Sequence, residues 1–92
     1  MIFKCDVCNM QLSLPWNLDF VAIDFETANN YRNSACAVGL VRVENNKVIS
    51  KVSYLIKPPD NYFTNTHIHG ITWSMVSGEP TFDEIWPQIK SF

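Results

Sequence analysis

The sequence predicts an α/β fold that opens with a three-stranded antiparallel meander and continues in helices. Three observations carry this expectation. A short apolar strand, Phe20 to Glu26, ends on acidic residues; two further runs, Ser34 to Glu44 and Lys47 to Lys57, are separated by an Asn-Asn dipeptide; and apolar residues at helical spacing follow a Pro-Pro stop.

Each element has a local cause. Ala28 to Asn33 is polar and rich in Asn, which predicts a connection. Ser34 to Glu44 begins as a nearly continuous apolar run and ends in alternation, the pattern of a strand covered on both sides. Asn45-Asn46 suits a two-residue hairpin turn, because Asn tolerates the positive φ angles such turns require. In the next strand Val52, Tyr54 and Ile56 alternate with Lys51, Ser53 and Lys57, so one face is buried and a lysine-bearing face is wet, as on an edge. Pro58-Pro59 ends it, since neither residue donates a ladder hydrogen bond.

Asp60 to Gly70 reads as a loop, and Thr72 is placed to cap a short helix ending near Gly78. A further helix starts at Thr81. Thr81 to Glu84 has capping-box spacing, and Phe82, Ile85, Ile89 and Phe92 form one apolar face. Pro87 predicts a kink or an irregular start, because its ring crowds the carbonyl of Asp83 and removes a donor.

Composition narrows the function classes. At 92 residues, 47% hydrophobic and 17% charged, the chain is globular and amounts to one small domain or part of one. No apolar run approaches the ~20 residues that span a bilayer, and the N-terminus lacks a secretory pattern, so a cytoplasmic location is expected. The 3 cysteines then fit reduced thiols. A net charge of −2 argues against a basic nucleic-acid-binding module, leaving phosphate contact to something local.

Asp24 and Glu26 are the candidate for that local contact. Residues two apart in a strand project to the same face, ~6.5 Å apart along the chain. Two carboxylates beside apolar neighbours repel and lose hydration unless a proton or a cation compensates them. A divalent cation would satisfy both and attract phosphate. A solvated strand end produces the same pair of residues without any ligand.

The stretch Asp19-Phe20-Val21-Ala22-Ile23-Asp24-Phe25-Glu26-Thr27 resembles the first motif of the DEDD exonuclease superfamily, in particular the epsilon-like branch of bacterial DNA polymerase III. Downstream, Ile68-His69-Gly70-Ile71-Thr72, followed by Pro80-Thr81-Phe82 and Glu84-Ile85, is similar to that family's His-Gly-Ile-Thr segment and the helix after it. The resemblance covers 18–92 and leaves 1–17 as an N-terminal segment outside it.

That resemblance implies an incomplete ribonuclease-H-like fold and metal-dependent 3′-5′ exonuclease chemistry. Two Mg or Mn ions are held among four acidic residues, and the partner is a single-stranded 3′ end of DNA or RNA. It implies Asp24 and Glu26 as catalytic metal ligands, with Thr27, Ile68 and His69 lining the nucleotide pocket. The family's second and third motifs are expected beyond Phe92. Asp60 and Asp83 do not replace them, one being in a Pro-flanked loop and the other in a helix first turn. The 92-residue chain alone is therefore expected to bind metal weakly and to have little or no activity.

Other readings stay open. His69 and Thr27 would equally serve as hydrogen-bonding residues of the backbone around them, and His67 matches no functional position. Cys5-Asp6-Val7-Cys8 is half of a zinc site with no second half in the chain. A non-catalytic scaffold or adaptor contacting a polymerase, another chain or nucleic acid is the alternative function. The strand Phe20 to Glu26, lacking its family partner, is expected to leave an edge prone to self-association.

Overall fold

The computed structural model describes residues 18–92. The N-terminal segment 1–17, with its Cys5 and Cys8 reading, lies outside the described residues. In chain order the elements are β1 (Phe20–Thr27), β2 (Ala35–Glu44), β3 (Lys47–Leu55), α1 (Thr66–His69), α2 (Trp73–Val76) and α3 (Phe82–Ser91). The strands form one sheet in the order β1-β2-β3, antiparallel throughout, as the meander pattern requires.

The β2–β3 turn has the predicted chemistry. Asn45 and Asn46 take φ values of 51° and 63°, the left-handed region that Asn tolerates best among residues with a Cβ. The turn also anchors the start of β1. The Asn45 N–H donates to Asp19 Oδ1 at 2.9 Å, and Asn46 Oδ1 accepts the Leu18 N–H at 3.0 Å.

β2 is the spine of the domain. Residues Cys36 through Val41, with Val43, are buried, because both faces of this central strand are covered. On one face Val38 and Leu40 pack with Ile56, Ile85 and Ile89, so α3 lies over β2 and β3. At the other end Cys36 and Ala37 pack with Ala28, Ile71 and Val76, which docks the α1–α2 region there. Burying a side chain such as Leu40 contributes roughly 1.5–3 kcal/mol, so these two clusters carry much of the driving force.

Four local expectations are corrected. β3 stops at Leu55 rather than Lys57, because the Lys57 N–H turns to the Pro80 carbonyl at 2.8 Å and Lys57 bridges to Thr81 in parallel. The stretch read as a loop from Asp60 to Gly70 contains α1, a single turn too short to show amphipathic periodicity. Gly70 closes it at φ 79°, donating its N–H to the Thr66 carbonyl at 2.7 Å. α2 ends at Val76, short of Gly78, and the Thr72 hydroxyl at its start lies 3.0 Å from the Ser74 hydroxyl instead of capping the backbone.

The fourth concerns α3, which runs uninterrupted through Pro87. The carbonyl deprived of its donor belongs to Asp83, and both residues are exposed, so water can take the place of the missing bond. The start is regular because the Glu84 carboxylate accepts the Thr81 N–H at 2.9 Å, one arm of the capping box. Ile85 and Ile89 are buried, whereas Phe82, expected on the same buried face, is 42% exposed.

Candidate active site

β1 alternates strictly. Phe20, Ala22, Asp24 and Glu26 are half-buried on one face, and Val21, Ile23 and Phe25 are exposed on the other. Asp24 and Glu26 therefore project to the same side of the sheet. Their cross-strand partners on β2 are Gly39 and Ala37. Neither partner carries a side chain long enough to reach a carboxylate, and both are themselves buried, Ala37 in the cluster with Ala28, Ile71 and Val76. A glycine within a strand signals close approach of another group, and Gly39 was legible in the sequence without being read that way.

Electrostatics extend from Glu26 to the core. Burial, joined by the nearby Glu26 charge, pushes the Cys36 thiol up to about 12. Cys36 is thus a neutral, inert neighbour of the acidic strand end.

The ladder slips immediately after Glu26: the register shifts between Glu26 and Thr27, so Thr27 pairs with Ala35. Such an irregularity re-aims the chain at the end of a strand. Here it is held by side chains from the segment around α1. His69 Nδ1 accepts the Ile71 N–H at 3.0 Å, which leaves the proton on Nε2 to donate to the Thr27 carbonyl at 2.9 Å. Asn65 Nδ2 donates to the same carbonyl at 3.3 Å and lies 3.4 Å from the Thr27 hydroxyl. The Ala28 carbonyl accepts the N–H groups of Thr64 and Asn65 at 2.9 and 3.0 Å. Asn29 Nδ2 reaches the Tyr62 carbonyl at 2.8 Å.

The sequence-predicted residues are thereby distributed as follows. Asp24 and Glu26 share a face; Thr27 and His69 are joined by a hydrogen bond; Ile68, next to His69, is 70% exposed. Asp83 stands apart in the first turn of α3, its carboxyl held below the ordinary value by the Thr81 hydroxyl. Asn65 was not singled out in the sequence, since an isolated Asn in a polar loop carries no signal until its carbonyl partner is known.

A groove of about 530 Å³ involves Phe25, Thr27, Arg32 and Phe82. Phe25 and Phe82 have ring centroids 6.0 Å apart, and Phe82 and Trp86 5.8 Å apart. This groove opens on the Phe25 side of β1, across the strand from the acids. Among the described residues no group of three or more His, Cys, Asp or Glu is gathered in metal-binding geometry. The two carboxylates of β1 are hard oxygen donors of the type that Mg and Mn prefer.

Comparison with known proteins bears on what this arrangement is. The family model described as RNase_T, Exonuclease, matches residues 21–92, from inside β1 to the end of α3. The chain is 27% identical over 77 residues to the PolC-type DNA polymerase III of Clostridium perfringens (strain 13 / Type A), covering 80% of this chain and 5% of that protein. It is similar in structure to Exonuclease X in complex with 5′ overhanging duplex DNA, with a TM-score of 0.69 and 26% identity, covering 75% of this chain and 42% of that one. The chain thus spans only a small part of the polymerase and less than half of the solved exonuclease. Its strands and helices match part of the ribonuclease-H-like fold of Exonuclease X.

Proposed function

The chain belongs to the exonuclease family, and from that premise we propose that it forms the part of a 3′-5′ exonuclease site that supplies the first two acidic ligands. The observation that carries the reading is the common face of Asp24 and Glu26, opposite Gly39 and Ala37, inside the span that matches the family. Divalent Mg or Mn, when bound, supplies activation of water and neutralisation of charge at the scissile phosphate.

The chain's own residues have distinct tasks in this reading. Asp24 and Glu26 hold positive charge over the sheet, turning an acidic surface into one that accepts a phosphodiester. Thr27 continues the strand toward the terminal nucleotide. Ile68, exposed beside His69, offers an apolar surface to a base or sugar. The substrate class in this reading is a single-stranded 3′ end; the structural neighbour, Exonuclease X in complex with 5′ overhanging duplex DNA, supports the coarser part of it, a nucleic-acid partner. A proofreading role beside a polymerase is the finer form of the proposal, supported by the similarity to a polymerase III.

The 92-residue polypeptide carries two acids of the four-acid pattern, and its expected activity is slight. Titration calorimetry with Mn²⁺ tests the ligand assignment, and incubation with single-stranded DNA plus Mg²⁺ or Mn²⁺ tests the chemistry. Weak Mn²⁺ binding that Asp24→Ala abolishes is the expected result. Absence of Mn²⁺ heat when the same segment is placed in a full-length domain would overturn the reading.

A second reading has its own observation. Val21, Ile23 and Phe25, at 41%, 46% and 38% exposure, line the outer strand of the sheet. Among the described residues β1 pairs with β2 alone, and an apolar face beside such a strand edge favours association. A scaffold that contacts another copy or another protein would use this face, and sedimentation of the chain at increasing concentration distinguishes a monomer from an associating species.

A further inference from the structure

We propose that His69 is a positioning residue whose Nε2–H clamps the Thr27 carbonyl and so sets how Glu26 is presented beside Asp24. The inference rests on the metal-site reading for its purpose and on hydrogen-bond geometry for its substance. Glu26 is the last residue before the register slips; past it Thr27 pairs with Ala35 and the Ala28 N–H donates to the Ser34 carbonyl at 2.8 Å, so β2 and its preceding loop hold one side of the strand end and the opposite side is held from outside the ladder. The Thr27 carbonyl is the first acceptor past the slip. Two side chains converge on it, His69 Nε2 at 2.9 Å and Asn65 Nδ2 at 3.3 Å.

The imidazole is itself fixed at both nitrogens. Ile71 N–H donates to Nδ1 at 3.0 Å, which selects the tautomer with the proton on Nε2, the nitrogen that faces Thr27. The ring cannot rotate away without breaking both bonds. Ile71 is fully buried in the cluster with Ala28, Cys36, Ala37 and Val76, so the far end of the clamp is rooted in the core. Gly70 makes the geometry possible: its φ of 79° reverses the chain within two residues and brings the Ile71 N–H back over the ring that precedes it. Cys36 Sγ, 3.9 Å from Nε2, packs beside the bond from β2.

The device links three elements. Core packing of Ile71 holds the Ile71 amide, the amide orients the ring, the ring holds the carbonyl after Glu26, and the carbonyl sets the direction in which the strand end leaves the sheet. Both His69 nitrogens are used in this, so any contribution it makes to a nucleotide pocket comes from the ring edge or the backbone.

The test compares His69→Phe with His69→Gln. Glutamine can donate from its amide nitrogen and accept at its oxygen, restoring both bonds, whereas phenylalanine keeps a ring and neither bond. In the 92-residue chain, ¹⁵N NMR should give ring shifts of an Nε2–H imidazole, and His69→Phe should shift the amides of Glu26 and Thr27 and speed Ile71 amide exchange. His69→Gln should bring these signals back toward the unaltered positions. In a full-length domain, His69→Phe should weaken Mn²⁺ binding about tenfold, the lower end of what outer-shell partners contribute. In a Glu26→Gln background the same substitution should change Mn²⁺ affinity by less than about twofold, because the two residues act through one path.

Glu26 and Thr27 amides that ignore His69→Phe would overturn the clamp, as would an equal, additive loss of Mn²⁺ affinity in the Glu26→Gln background. An unaltered full-length domain that binds no Mn²⁺ would instead sink the metal reading, and the NMR arm would still decide whether His69 holds the strand end. If His69→Phe fails to fold, Ile71 exchange and Mn²⁺ affinity in His69→Gln against Asn65→Ala decide the same question. The clamp requires the glutamine variant to retain both and the alanine variant to lose affinity without loss of Ile71 protection.

Discussion

Ile23 and Leu40 are direct partners across the β1–β2 ladder and share a face of the sheet, yet Ile23 is 46% exposed and Leu40 is 1% exposed. Nothing in the two side chains accounts for this. The difference is α3, whose Ile85 and Ile89 lie over Val38, Leu40 and Ile56, while its Phe82 meets Phe25 of β1. Apolar alternation tells which way a side chain points; it does not tell what arrives to cover it. β2 is buried along most of its length and holds the core, while β1 has an acidic face and a partly exposed apolar face, to which the proposed chemistry and contacts are assigned.

That contrast is open to direct attack. The largest effect should come from β1's acidic side: Asp24→Ala abolishes Mn²⁺ binding by calorimetry yet changes unfolding stability by no more than about 0.5 kcal/mol, as befits a partly exposed residue at no packed site. If instead the domain unfolds, Asp24 is part of the frame and the division between the strands fails. Next comes the pair itself. Leu40→Ala should cost roughly 2–5 kcal/mol in urea denaturation through the cavity it leaves, whereas Ile23→Ala should cost much less, about 0.5 kcal/mol, and reduce any concentration-dependent sedimentation.

Cys36 sharpens the comparison through pH. Its folded-state thiol is raised from 9.0 to about 12, first by burial and then by the Glu26 charge, so the folded state disfavours the thiolate. Stability linked to it is intact below pH 9 and declines as pH rises from 9 toward 12, where the unfolded chain releases the proton and the folded chain does not. Alkaline denaturation of Cys36→Ala should lack this component, and alkylation mapped by mass spectrometry should show Cys36 protected at pH 8.

The smallest effect lies at the start of α3. Thr81→Ala should cost about 1 kcal/mol by removing the cap hydroxyl. Asp83 is held below 3.8 by the Thr81 hydroxyl, and Glu84 below 4.5 chiefly by the Thr81 backbone N–H. Depressed carboxyls favour the folded state above those values, and that support is lost as pH falls through and beneath them. Acid melts of Thr81→Ala should be less steep in this range than those of the unaltered chain.

Much of the architecture was legible because it rests on local rules. The Asn45-Asn46 turn followed from φ tolerance, the β2 core from an unbroken apolar run, the start of α3 from Thr81 and Glu84, and the acid pair from the period of a strand. α1 escaped because one turn has no periodicity, and the passage of α3 through Pro87 escaped because the cost of a lost hydrogen bond depends on whether water can reach the carbonyl. Asn65 and Gly39 escaped for a different reason: each acquires its meaning only from the residue that folding sets opposite it.

The sequence by itself determined which residues alternate, which turn, which cap and which two carboxylates point the same way, since those properties follow from backbone geometry over a few neighbouring residues. Tertiary structure alone decided that α3 would shield Leu40 and not Ile23, and that His69 would close on the carbonyl after Glu26 from 42 residues away. Contacts across such distances are selected by the packing of the whole core, and no short window of the chain contains the information that fixes them.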